Sequence, residues 1–224
     1  MKTKKIILML VMIMTAMSVS AQYDPGKWAI QIKFGFGAAQ LTNVDKLPMT
    51  ANSSDSQFTG ASLVGMDVEY QVSKMLGISL GLNRSHQGCA WKDYTDNSVK
   101  YKEPTVELEY LTFPLVANLY VYKGLALKTG VQLGYLIDAD FTQHFDENYQ
   151  NRELTTRQTL DIEDDCKKMD ISIPVGISYE SKGHFVFDAR YNIGLTKVND
   201  KDFFGAKDIK NGVFMITIGY KFDI

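Results

Sequence analysis

The chain has 224 residues, 45% of them hydrophobic, with 24 basic and 26 acidic side chains and a formal net charge of -2. That balance excludes the concentrated basic face that nucleic-acid binding needs. Three His and two Cys leave little material for a metal site, and no cofactor is expected.

The first segment reads as a targeting signal. Lys2, Lys4 and Lys5 form a basic start, and Ile6 to Met17 an apolar core too short to span a bilayer as a helix. Small residues at Val19-Ser20-Ala21 place cleavage before Gln22, giving a signal peptide over 1–21 and one domain over 22–224. A retained N-terminal anchor is the competing reading. Cleavage leaves 21 basic against 26 acidic side chains. No Cys stands at the cleavage point, which argues against a lipoprotein.

The mature part alternates with period two, as two-sided strands do and helices cannot. The first strand runs from Trp28 to about Gln40, with Trp28, Ile30, Ile32, Phe34 and Phe36 on one face. The second spans about Phe58 to Val72, and the third follows a Ser73-Lys74-Met75 turn from Leu76. The fourth, about Thr105 to Val121, changes phase between Tyr110 and Leu111, which predicts a bulge, with Pro114 disturbing the ladder. The fifth follows Lys123-Gly124 and carries Leu127 to Ile137; the sixth covers Asp170 to Tyr179; the seventh starts at Phe185 after Ser181-Lys182-Gly183. The eighth closes the chain, with Phe214, Ile216, Ile218, Tyr220 and Phe222 opposite Val213, Met215, Thr217, Gly219 and Lys221.

The connections near Lys74, Lys123 and Lys182 are short, whereas those near 41–56, 88–104, 139–167 and 196–211 are long and polar. This rhythm predicts an all-β, eight-stranded antiparallel up-and-down transmembrane β-barrel with short periplasmic turns and long external loops. A soluble lipocalin-like barrel, apolar inside, is the alternative. Three features favour the membrane. Trp28, Tyr70, Tyr179, Phe185, Tyr220 and Phe222 form an aromatic girdle at the turn ends. The other face mixes small residues with Lys33, Asp67, Glu69, Lys128, Asp170, Asp188, Arg190 and Lys221, a lumen charge network in a narrow interior. Thr217, Gly219, Phe222 and Ile224 fit a C-terminal insertion signal read by the barrel-insertion machinery.

Tyr110-Leu111-Thr112-Phe113-Pro114-Leu115, Thr129 to Leu136 with Gly130, Gly134 and Tyr135, and Ala189-Arg190-Tyr191-Asn192-Ile193-Gly194-Leu195-Thr196 resemble the PorT-like outer-membrane β-barrel family of Bacteroidetes. Thr112 stands where that family often has Glu, and the Ser20-Ala21-Gln22 junction is typical of the phylum's exported proteins. The resemblance spans the mature chain and implies an eight-stranded outer-membrane barrel. It implies no single activity.

Cys89 and Cys166, both placed at the external rim, suggest a disulfide joining two loops. Asp161, Glu163, Asp164 and Asp165 read as a solvated acidic loop lacking the EF-hand spacing. His86, His144 and His184 are scattered; only His144 with Asp146 suggests a catalytic dyad, and nothing completes it. The resulting expectation is a non-enzymatic, structural or adhesion-type protein of the outer membrane that binds through its external loops. An accessory subunit of an envelope complex, in type IX secretion and gliding or barrel assembly, is the second reading. A barrel protease or acyltransferase is the third. The expected partners are the lipid bilayer with its lipopolysaccharide, the insertion machinery and, under the second reading, an envelope-complex protein.

Overall fold

The computed structural model describes residues 23–44, 56–96, 99–149, 152–200 and 208–224. The expected signal over 1–21 lies outside them. Among the described residues there are eleven strands: β1 (Trp28–Thr42), β2 (Ser56–Gln57), β3 (Thr59–Gln71), β4 (Leu76–Trp91), β5 (Tyr94–Asp96), β6 (Val99–Tyr122), β7 (Leu125–Tyr149), β8 (Arg152–Asp161), β9 (Met169–Glu180), β10 (Phe185–Gly194) and β11 (Lys210–Asp223).

Eight of them close a ring, β1-β3-β4-β6-β7-β9-β10-β11, with β11 returning to β1. Every pairing is antiparallel, and β2, β5 and β8 are additions at the long-loop end. Three wall hairpins turn within two to four residues, at Val72 to Met75, Lys123-Gly124 and Ser181 to His184. The segments just before β1 and just after β11 are held at that same end: Gly26 N–H donates to Gln71 O at 2.8 Å and Ile224 N–H to Trp28 O at 2.9 Å.

Facing follows from neighbours. Lys33 is 3% exposed, while Phe34 beside it is 62% exposed. Ile32, Phe34 and Phe36 on β1 and Phe214, Ile216 and Phe222 on β11 are likewise exposed, whereas Val213, Met215, Thr217 and Lys221 are buried. A soluble fold would not leave so long an apolar surface open. Its height along β11, Phe214 to Phe222, is nine residues, matching the ~9–11 a tilted strand needs to cross a bilayer. At its lower edge Trp28 lies 4.8 Å from Tyr70, and Phe185 lies 5.3 Å from Tyr220, ring centre to ring centre.

The phase change in the fourth predicted strand has another cause than the expected bulge. On β6 the even residues from Val106 to Tyr120 all face inward without interruption. What changes is the surroundings. Above Leu111 the outward positions are Glu109 and Glu107, and the inward ones become Tyr110, Leu108 and Val106. The strand has left the lipid, so water lies outside and an apolar core inside. A register shift does occur at this level, but the extra residue is Ile137 on β7: Glu109 pairs Asp138 and Tyr110 pairs Leu136. Pro114 is turned inward against Gly81, and the β4–β6 register is the same on either side of it.

Above the lipid the strands continue. β6 has 24 residues and β7 has 25, well beyond a transmembrane length. With β5 and β8 they build a four-stranded external sheet where the sequence suggests only long loops.

The mid-wall position Ile218 stands abreast of Phe34 and Phe187 on the lipid face. Ile218→Arg should destabilise the folded barrel by roughly 2–4 kcal/mol, read from urea unfolding in lipid vesicles.

Candidate functional site

The interior has two tiers. The lower one, toward the short turns, is ionic. Lys33 on β1 pairs with Asp67 on β3. Lys128 on β7 lies 2.9 Å from Asp188 on β10, and Arg190 Nε lies 3.7 Å from the other oxygen of Asp188. Nearer the turns, Lys221 Nζ lies 3.0 Å from Glu180 and 3.3 Å from Glu69. It also donates to the Tyr120 hydroxyl at 2.9 Å, and that hydroxyl donates to Glu69 at 2.5 Å. Asn118 donates to Glu69 at 3.0 Å.

Four cations thus face four carboxylates: Lys33, Lys128, Arg190 and Lys221 against Asp67, Asp188, Glu69 and Glu180. A buried charge without a partner costs several kcal/mol, so this column is stable only as a set. Glycines make the room. A Cβ at Gly81 would stand 2.2 Å from Asp67 Oδ1, and one at Gly77 would stand 2.5 Å from Glu69 Oε1. Glu180 belongs to the column although the sequence does not single it out. It sits at the last position of β9, beside a turn, where a carboxylate reads as solvent-exposed.

Asp170 stands apart from the ion pairs. It accepts from the Thr196 hydroxyl at 2.8 Å and from Asn211 at 3.5 Å, and Asn211 also reaches the Tyr110 hydroxyl at 3.5 Å. These contacts join the ionic tier to the upper one.

The upper tier is apolar. Leu41, Trp91, Val106, Leu108, Tyr110, Leu136, Phe141, Ile162, Val198 and Ile209 pack into one buried cluster across the external half of the lumen. Two loops are clasped over it. Lys167 N–H donates to Val198 O at 2.7 Å, and Ile162 N–H to Ala139 O at 2.9 Å. Buried side chains of both tiers fill the bore, as eight strands require.

Cys89 and Cys166 are members of this plug, and the expected disulfide is not formed: both thiols are free and buried. The physical reason is the length of β4, which runs to Trp91. Cys89 is therefore a wall residue facing the plug and not part of a loop. Both behave as small apolar side chains. Burial, reinforced by Asp165, pushes the Cys166 thiol up to about 12, so little thiolate forms at neutral pH.

The histidines stay apart. His86 faces outward on β4 at the upper rim, and His184 lies in the β9–β10 turn, 3.6 Å from Glu180. His144 sits on the external sheet between Lys102 and Arg157, and its neighbour Asp146 is held by Lys102 at 2.6 Å. In the acidic run, Asp161 accepts from Glu163 N–H at 2.9 Å and Glu163 pairs with Lys168, so these groups shape the turn before β9.

At the periplasmic mouth Tyr23 closes the bore from below. Its hydroxyl donates to Glu180 at 2.6 Å, and its ring centre lies 4.3 Å from that of Tyr120. A cavity of about 290 Å³ remains beside it, lined by Lys27, Glu69 and Lys221 among others. Thr217 and Gly219 of β11 face inward, Phe222 is exposed on it, and Ile224, just past its end, is exposed and bonded through its N–H to Trp28 of β1.

A closed antiparallel ring, apolar outside and ionic within, defines a transmembrane β-barrel of the outer-membrane kind. More specifically, the chain belongs to the outer membrane protein beta-barrel domain family, whose model matches residues 20–200. No curated protein matches it. Among solved structures it is similar to the attachment invasion locus protein Ail of Yersinia pestis, at 13% identity and a TM-score of 0.43, covering 89% of this chain and 100% of that one. It is also similar to Neisserial surface protein A, at 12% identity and 0.43, over 87% and 97%. OprG of Pseudomonas aeruginosa matches at 13% and 0.42, over 89% and 97%.

Lys221→Met leaves Glu69 and Glu180 without their cation and should destabilise the barrel by about 3–5 kcal/mol in urea titrations. Replacing Lys33 and Asp67 together by Met and Leu should cost far less than removing either alone. At neutral pH Cys89 and Cys166 should react with maleimide only after the barrel is unfolded.

Proposed function

We propose that this protein is a non-enzymatic surface protein of the Gram-negative outer membrane whose external sheet is its binding element. The observation that carries this reading is the continuation of β6 and β7 past the lipid band, joined by β5 and β8. A bore filled by an apolar plug has no use for such a sheet as a channel entrance. A rigid sheet held above the lipid instead offers a firm platform for a partner. Among the described residues β8 pairs only with β7, so its other edge has free backbone donors and acceptors over ten residues. An extended segment of a partner protein could add there as a further strand.

The finer readings belong here too. The motifs around Tyr110, Gly134 and Tyr191 favour the PorT-like branch of the family. The Thr217, Gly219, Phe222 and Ile224 pattern is the signal for the insertion machinery, and the segment 1–21 is the export signal. The outer leaflet's lipopolysaccharide surrounds the upper rim. A stand-alone adhesion-type protein is preferred over a subunit of an envelope complex, because the most developed surface faces outward and the periplasmic end consists of short turns.

The test removes most of β8 with the distal part of β7 and keeps the barrel. Gln143 and Gln158 are cross-strand partners on β7 and β8. Joining them through an Asn-Gly turn shortens the hairpin at a natural register. Cells displaying the shortened protein should lose most of their adhesion to immobilised extracellular protein. The unboiled variant should still migrate as a folded barrel on a denaturing gel. Undiminished adhesion would refute the reading, and a stoichiometric envelope partner recovered in mild detergent would favour the complex-subunit alternative.

A further inference from the structure

The periplasmic rim carries a lysine at each of its four corners. Lys74, Lys123 and Lys182 each occupy one of the three tight turns, and Lys27 precedes β1 at its seam with β11. All four are exposed. None of the three turn lysines enters an ion pair among the described residues. The exposed acids of this end, Asp24 and Asp223, lie together at the seam beside Lys27. On the opposite rim, just above the lipid, the outward face carries the acids Glu107, Asp140, Glu109 and Asp138, with Arg84 pairing Glu109.

Turn geometry does not account for Lys123. Lys123 has φ 30° and Gly124 has φ 86°. Two consecutive residues in the left-handed region suit Asn-Gly or Asp-Gly, and a long side chain at the first position is disfavoured. The residue there works against its local conformation, as happens where a side chain is needed for another purpose. Its position indicates that purpose. Lys123 Nζ lies 5.3 Å from the ring centre of Tyr122, which is exposed in the lower aromatic girdle. Trp28 and Tyr70 lie in the same girdle, next to Lys27 and close to the Lys74 turn. Turns of two to four residues reach no farther than the headgroup layer.

We propose that these four lysines form a binding ring for the phosphates of anionic phospholipids in the periplasmic leaflet. A basic residue at an anionic surface is worth about fivefold in binding. Four of them spaced round one rim gather an anionic annulus and hold the barrel at a defined depth and orientation. The inference rests on the bilayer reading above, and its test separates the two. An acidic periplasmic protein is the rival occupant, but short turns flush with the girdle suit a headgroup plane better than a protein surface.

The chain has two tryptophans, Trp28 at the girdle, 51% exposed, and Trp91, 1% exposed within the plug. Trp28 is therefore the lipid reporter. The protein is reconstituted in phosphatidylcholine vesicles containing either brominated phosphatidylglycerol or brominated phosphatidylcholine, and quenching is compared. Brominated phosphatidylglycerol should be preferred by about fivefold or more at low salt, with the preference falling at high salt. The variant K27Q/K74Q/K123N/K182Q should lose the preference; K123N improves the turn, and gel migration of the unboiled protein confirms the fold. Equal quenching by both lipids in the unaltered protein, or a preference that survives in the variant, overturns the lysine ring and leaves the bilayer reading standing. Absence of quenching by either lipid overturns both.

Discussion

A backbone group left unpaired in hydrocarbon costs several kcal/mol, and the whole structure follows from that constraint. The wall strands can enter lipid only if the first of them also pairs with the last. Here β1 holds β3 on one side and β11 on the other, residue by residue from Ala29 to Ala39. Closure in turn fixes the two environments. Every second side chain meets lipid and must be apolar; the rest are shut inside a bore too narrow for bulk water. Charges placed there must find one another, as Lys221 finds Glu69 and Glu180.

The same wall serves two solvents at different heights, which explains the two-tier interior. Along the lipid band the pattern is apolar out and ionic in. Above it the outside becomes water, and the inward positions of β4, β6 and β7 turn apolar. Trp91, Tyr110 and Phe141 then form an ordinary protein core that plugs the mouth and supports the external sheet. Asp170 and Asn211 sit where the tiers meet and bond to both. The barrel thereby becomes a rigid mount carrying a sheet on one side of the membrane and a ring of charged turns on the other.

Much of the wall was legible in the sequence because period-two alternation survives wherever one face meets lipid. The limits of β10 and the facing of β11 follow directly from it. Legibility failed where the surroundings changed along a strand. The inversion above Leu111 looked like a bulge in β6, whereas the strand keeps its phase and only its solvent changes; the true extra residue is Ile137 on the neighbouring strand. The polar outward positions of β7 beyond Asp138 resembled a loop for the same reason. The ionic residues of the lumen stood out as charges on an otherwise small-residue face. Glu180 and Tyr23 did not, since each lies at the edge of a strand or before one, and only the assembled ring brings them to Lys221. Cys89 falls on a strand and not in a loop because β4 extends past the lipid to Trp91, while Cys166 does lie in the segment before β9.

The central claim is the inverted facing of the wall, lipid against the even residues of β11 and the closed bore against the odd ones. A nitroxide scan from Val213 to Phe222 in lipid vesicles tests it most directly. Collision with dissolved oxygen should alternate strictly, high at 214, 216, 218, 220 and 222 and low at 213, 215, 217, 219 and 221, with little access to a water-soluble relaxer at either set. High access of the water-soluble relaxer at the even positions, or no alternation, would contradict the membrane-facing wall.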